Sequence, residues 1–275
     1  MSNFLQRLLT GIGFFIVILG ATAWRPESFA LLFLTILLAG QLEFYRLIQK
    51  AGGKPQIFWG MITGAYLFLS NFWFVSQGFK GVELLIGSLF FIFMTFVLEV
   101  FRKADRPFHN IAYTLTGVFY IGLPFSLLNY LVIDTDLVPT YDFSPWVLVG
   151  TIMTMWANDS WAYIIGSWLG KNKLYPSVSP GKTWEGFIGG IVFSLLWASL
   201  MSLFIENISW LDWLAVGAIV SLFGTAGDLA ESKLKRSLQI KDSGNIFPGH
   251  GGVLDRFDAF IVAIPFLVLY FYLVP

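Results

Sequence analysis

Long apolar runs alternate with short polar stretches along the whole chain, and each run is about as long as a bilayer is thick. Crossing the hydrocarbon layer as an α-helix takes about 20 mostly apolar residues. Nine runs meet that length: 8–24, 28–48, 57–77, 82–101, 108–132, 145–169, 186–205, 210–230 and 257–274. The second is interrupted by Glu43. Backbone amides have no water to bond in lipid, so the runs are expected as helices. The pattern predicts an all-α, polytopic integral membrane protein. No internal repeat is evident, which argues against a transporter built from inverted repeats.

Composition agrees. Of 275 residues, 56% are hydrophobic and 12% charged, with a mean hydropathy of +0.72. A soluble fold of this size lacks the polar residues to cover its surface with such a sequence. There is no cysteine, so disulfides and thiolate metal sites are excluded. Arg7, an apolar run and Ala21-Thr22-Ala23 have the outline of a signal peptide. With Met1 at the head of the chain, a retained first span is the expectation.

Lysine and arginine are sorted between alternate loops. Arg7 precedes the first run; Arg46, Lys50 and Lys54 close or follow the second; Arg102, Lys103 and Arg106 follow the fourth. Lys171, Lys173 and Lys182 follow the sixth, and Lys233, Lys235, Arg236, Lys241 and Arg256 the eighth. Only Arg25 and Lys80 fall on the opposite side, where loop 133–144 has Asp134, Asp136 and Asp142 and no base. The positive-inside rule then predicts a cytoplasmic N-terminus and an external C-terminus. Residues 1–107 read as scaffold helices, 108–144 as a middle helix with the acidic external loop, and 145–275 as a catalytic region with two basic cytoplasmic loops.

Polar chemistry gathers in that last region. Asn158-Asp159-Ser160 lies in an apolar run, where an ionised Asp costs a few kcal/mol or more unless paired or hydrated, and so suggests function. Downstream, Ser179-Pro180-Gly181-Lys182-Thr183-Trp184-Glu185-Gly186 has the makings of a phosphate-binding turn before a helix, though not the Walker A spacing. A capped helix start explains it as well. Asp228, Glu231 and Ser232 fall on one helical face, Gly244 to Gly252 reads as loop, and Asp255 and Asp258 open the last run at i, i+3. Acids from separate helices suit a hard cation such as Mg²⁺, and bases beside them suit phosphate. His250, set among glycines, serves a phosphate contact and a simple loop hydrogen bond equally well.

These residues also carry a resemblance. Ser232-x-Leu234-Lys235-Arg236-x4-Lys241-Asp242-x-Gly244, then Pro248-x-His250-Gly251-Gly252-x-x-Asp255-Arg256-x-Asp258, resembles the signature of the phosphatidate cytidylyltransferases, or CDP-diacylglycerol synthases. Asn158-Asp159-Ser160-x-Ala162-Tyr163-x-x-Gly166 and Ser179-Pro180-x-Lys182-Thr183-x-Glu185-Gly186 are similar to the same family. The specific likeness covers about the last 120 residues. It implies a membrane nucleotidyltransferase that makes CDP-diacylglycerol and pyrophosphate from CTP and phosphatidate. It further implies Mg²⁺, a second, monovalent cation such as K⁺, a homodimer, and Asp228 and Asp255 as metal ligands.

In that reading an ionised lipid phosphate attacks the α-phosphorus of CTP in line, so positioning and charge neutralisation matter more than a general base. Lys235, Arg236, Lys241 and Arg256 are the candidates to hold phosphates. Ser179, Lys182 and Thr183 approach from a second loop. Asp159, Ser232, His250, Gly251, Gly252 and Asp258 complete the expected substrate-binding set. The expected setting is a bacterial inner membrane with a cytoplasm-facing site, lipid and CTP as partners, and no nucleic acid. A proton-coupled carrier would use intramembrane acids but leaves the basic, glycine-rich loops unexplained. A CDP-alcohol phosphotransferase would need a D-G-x-x-A-R pattern that is missing.

Overall fold

The computed structural model describes residues 3–132, 143–240, 242–244 and 251–274, with backbone alone for 3–10. Its helices are α1 (Asn3–Trp24), α2 (Pro26–Lys50), α3 (Ile57–Ser76), α4 (Val82–Val100), α5 (Pro107–Gly117), α6 (Leu123–Leu127), α7 (Trp146–Leu169), α8 (Trp184–Met201), α9 (Trp210–Ser237) and α10 (Leu254–Leu273). A π-helical turn, Val118–Gly122, joins α5 to α6, and a 3₁₀ turn, Leu128–Leu131, extends the run. Every expected apolar run coincides with a helix. Seven are long and apolar enough to cross a membrane, counting Pro107–Leu131 as one; the apolar stretch Gly11–Trp24 is shorter. Helix α7 has the length but carries Thr151, Thr154, Asn158, Asp159 and Ser160. The chain is an all-α, multi-pass membrane protein.

The way α4 presents its side chains shows what surrounds it. Ile86, Phe90, Phe93, Val97 and Val100 form one stripe and are each about half exposed or more, whereas Ser88, Thr95 and Glu99 on the other side are buried. A helix in water has the reverse pattern. Here lipid takes the apolar stripe, and the polar groups find partners inside.

The described residues form two compact units. The first comprises residues up to Phe143 together with Asp242–Arg256. Helix α2 is at its centre. Gln41 Nε2 donates to the Gly60 and Gly117 carbonyls at 3.3 and 3.1 Å, and Tyr45 Oη donates to the Thr114 carbonyl at 2.8 Å. Glycines at 60, 64 and 117 make room for these two side chains, since a Cβ there would overlap Tyr45 or Gln41. Glu99 is held by Gln56 Nε2 at 2.7 Å, Asn110 Nδ2 at 2.9 Å and Arg102 at 2.8 Å. The π turn ends two residues before Pro124, which has no N–H and whose ring would press on the carbonyl four residues back, inside that turn. Ala21-Thr22-Ala23 lies within α1, where buried Thr22 bonds the Ile18 carbonyl at 2.5 Å.

The second unit holds Ser144–Lys241 and the chain from Phe257 onward. Helices α7 and α8 pack closely because Gly166 and Gly186 face each other; a Cβ on Gly186 would come within 2.7 Å of the Ala162 carbonyl and 2.9 Å of Gly166 Cα. Small residues of this kind let membrane helices approach backbone to backbone. Trp161 stacks on Phe193 at 3.8 Å, and Phe223 on Phe266 at 3.6 Å. One element was not anticipated. Residues 173–183 form an antiparallel hairpin of β1 (Lys173–Tyr175) and β2 (Ser179–Thr183), with an irregular register. The expected phosphate-type turn is therefore a strand that runs directly into α8.

Candidate active site

The second unit brings the two polar regions of the sequence together. Lys182, near the end of β2, places Nζ 2.6 Å from Asp228 Oδ2 on α9. Ser232 Oγ, one turn along the same helix, donates to Asp228 Oδ1 at 3.1 Å. Each oxygen of Asp228 thus has a partner, one of them carried in from 46 positions upstream. Both side chains of the ion pair are about one-third exposed, so solvent screens the pair and its value lies in placement more than in stability. A further turn of α9 is used by Glu231, which is buried and paired with Lys235 at 2.6 Å, an i, i+4 contact.

Asp258, near the start of α10, accepts the Ala259 amide at 2.7 Å and lies within electrostatic reach of Asp228, Glu231 and Asp159. Asp159 itself accepts a 3.3 Å bond from Asn158 Nδ2. Asp258 thus lies within electrostatic reach of three other carboxylates, two of which are paired with a lysine. Glu231 was on the expected helical face but not among the expected site residues. Its burial marks it out, and burial is not readable from an i, i+3 spacing.

Several expected residues have structural work. Thr183 is the N-cap of α8 and accepts the Gly186 amide at 3.1 Å. Glu185 accepts from the Asn172 backbone and side chain at 2.8–3.2 Å, closing the hairpin onto the helix. Arg236 Nε donates to the Val178 carbonyl at 3.4 Å, tying α9 to the hairpin turn. Ser179 is the first residue of β2. Lys241 and His250 lie outside the described residues.

Asp255 belongs to the first unit, as do Gly251, Gly252 and Arg256. Its Oδ2 accepts from the Ser243 amide and hydroxyl, each at 3.0 Å, and from the Gly252 amide at 2.7 Å. Gly251 has φ +83°, a left-handed conformation that favours glycine. Arg256 is exposed.

The donor chemistry fits Mg²⁺. Among the described residues no three or more Asp, Glu or His side chains form a metal-binding group. Mg²⁺ does not need one, since it is commonly held by one or two carboxylates, waters and substrate phosphates. Asp228 is a partly exposed carboxylate with a hydroxyl and an ammonium beside it, a donor set of that kind.

Comparison with known proteins covers the whole chain. Residues 5–274 match the model of the cytidylyltransferase family. A phosphatidate cytidylyltransferase of Bacillus subtilis (strain 168) is 35% identical over 273 residues, 97% of each chain. One from Staphylococcus haemolyticus (strain JCSC1435) is 41% identical over 180 residues, 64% of this chain and 66% of that protein. One from Staphylococcus saprophyticus is 39% identical over a stretch of the same length. With a family match from end to end and lysine, serine and carboxylates gathered along α9, the chain belongs to the cytidylyltransferase family.

Proposed function

We propose that this protein is a phosphatidate cytidylyltransferase: CTP and phosphatidate give CDP-diacylglycerol and pyrophosphate. The observation that carries the reading is the likeness, along essentially its full length, to a Bacillus subtilis protein of that name. The pairing of Lys182 with Asp228 supports it, because a base and a metal-type carboxylate from separate regions meet at one helix.

The lipid phosphate is the nucleophile and needs no general base. What the protein must do is align it with the α-phosphorus of CTP and offset the charge of four phosphoryl groups. Asp228 and Asp255 are proposed as Mg²⁺ ligands. Mg²⁺, when bound, supplies neutralisation of phosphate charge. Lys182 is proposed to leave Asp228 for a substrate phosphate, an exchange of one anionic partner for another. Lys235, Arg236, Lys241 and Arg256 are proposed to hold the triphosphate or the lipid phosphate. Asp159 and Asp258 are proposed to keep this part of the membrane polar for the headgroup. A monovalent cation beside Mg²⁺, a homodimer, nine spans, a cytoplasm-facing site in the bacterial cell membrane and no nucleic-acid partner complete the proposal.

The test is direct. Purified protein in detergent is given labelled CTP, phosphatidate and Mg²⁺, and the label is followed into lipid. Label in a lipid product, with pyrophosphate released in equal amount and both lost on chelation, is the expected result. Mg²⁺-dependent CTP binding without a lipid product would reject it.

A further inference from the structure

We propose that Glu43, in scaffold helix α2, is the positioning residue for Asp255. The inference rests on the reading of Asp255 as a cation ligand and lies wholly within the first unit. Glu43 is 4% exposed, toward the end of an apolar run, where a carboxylate is costly. Its Oε2 accepts the Leu254 amide at 3.0 Å and stands 3.3 Å from the Ser243 hydroxyl, whose one proton goes to Asp255. These partners lie 211 and 200 positions away. The same Ser243 hydroxyl stands 3.0 Å from Asp255 Oδ2.

The bond to Leu254 has a clear physical purpose. Leu254 is the first residue of α10, and its amide is one of those a helix start leaves without a partner. A carboxylate there satisfies the donor and complements the positive end of the helix dipole. Glu43 therefore caps α10 from another helix. Asp255 sits one residue on, and its own oxygen is fixed by Ser243 and Gly252.

Shape supports the same assignment. A Cβ on Gly252 would come within 2.5 Å of Glu43 Oε2, and one on Gly244 would overlap Glu43 as well. The two glycines of the signature thus make space for a carboxylate from the scaffold. This gives Gly244 and Gly252 a reason for being glycine that does not involve substrate.

The experiment compares wild type, Glu43→Ala and Glu43→Gln as full-length protein in detergent. Hydrogen–deuterium exchange is read for peptides covering 242–256, and turnover is titrated against Mg²⁺. Glu43→Ala should speed exchange there, with α3 and α4 unchanged. It should raise the Mg²⁺ needed for half-maximal turnover by roughly tenfold, the scale of one charge-assisted hydrogen bond. Glu43→Gln keeps an acceptor for the Leu254 amide but loses the charge, so it should fall between wild type and Glu43→Ala on both measures. Wild-type exchange and Mg²⁺ demand in Glu43→Ala, or equal damage from Glu43→Gln, overturns the proposal. If Glu43→Ala yields no monodisperse protein, Ser243→Ala carries the test, with the same shift in Mg²⁺ demand expected and an unchanged one overturning it. Wild type that makes no lipid product would refute the enzymatic reading instead, a result seen before any variant is compared.

Discussion

Asp228 is held on one side by Lys182 and on the other by Ser232, so its two oxygens have different neighbours. Replacing it by Asn keeps the size and removes the charge. If Asp228 is a cation ligand, turnover should fall by at least ~10²-fold, as when groups that tune a metal site are removed. Folded yield should hold, because the pair with Lys182 is partly exposed and screened, so its loss costs little stability. Asp105→Asn is the control: its pair with Lys54 is largely exposed, and both yield and turnover should stay within experimental error. Lys182→Ala should raise the substrate concentration for half-maximal turnover by roughly tenfold, the scale of one charge-assisted contact. Normal turnover of Asp228→Asn at low Mg²⁺ would remove Asp228 from the ligand set. A parallel loss of yield would make it structural.

At the scale of elements, the contrast between α7, α8 and the hairpin gives a stability test. Gly186→Ala pushes a methyl against the Ala162 carbonyl and Gly166 Cα, both backbone, so neither can swing aside. The cost should be ~1–3 kcal/mol, the usual price of overpacking, seen as a lower unfolding midpoint in detergent. Gly181, five residues earlier, has open space around its Cβ position and no positive φ. Gly181→Ala should shift stability by less than about 0.5 kcal/mol. Equal midpoints for the two variants would refute the close α7–α8 approach. The helices were legible in the sequence because length and hydropathy suffice for them: 57–77 became Ile57–Ser76, and 82–101 became Val82–Val100. The hairpin was not legible. Its strands have three and five residues, and Ser-Pro-Gly-Lys-Thr has no alternation and a single β-branched residue, Thr183, at its end. The acids on α9 were readable from their spacing, but the arrival of Lys182 beside Asp228 depends on that hairpin. Glu43 was harder still. In sequence it interrupts an apolar run, and only partners some 200 positions away explain it.

For the whole molecule, charge and structure together define a clean measurement of which loops face the cytoplasm. The hairpin region has Lys171, Lys173 and Lys182, whereas the turn between α3 and α4 has a single base, Lys80. Cytoplasmic loops retain lysine and arginine, so the hairpin should be inside and the Lys80 turn outside. The natural chain has no cysteine, so one introduced thiol is the only reactive one. Ser177, in the hairpin turn, and Lys80 are both exposed and tolerate a cysteine without disturbing a packed side chain. In intact cells an impermeant thiol reagent should label Lys80→Cys and spare Ser177→Cys. After the cells are opened, both should label. Ser243 would be a poor probe, although it too belongs to a basic loop, because it is buried against Glu43 and Asp255. Labelling of Ser177→Cys from outside would invert the orientation. It would also separate the bases from cytoplasmic CTP, and the proposed reaction would then need its nucleotide on the wrong side of the membrane.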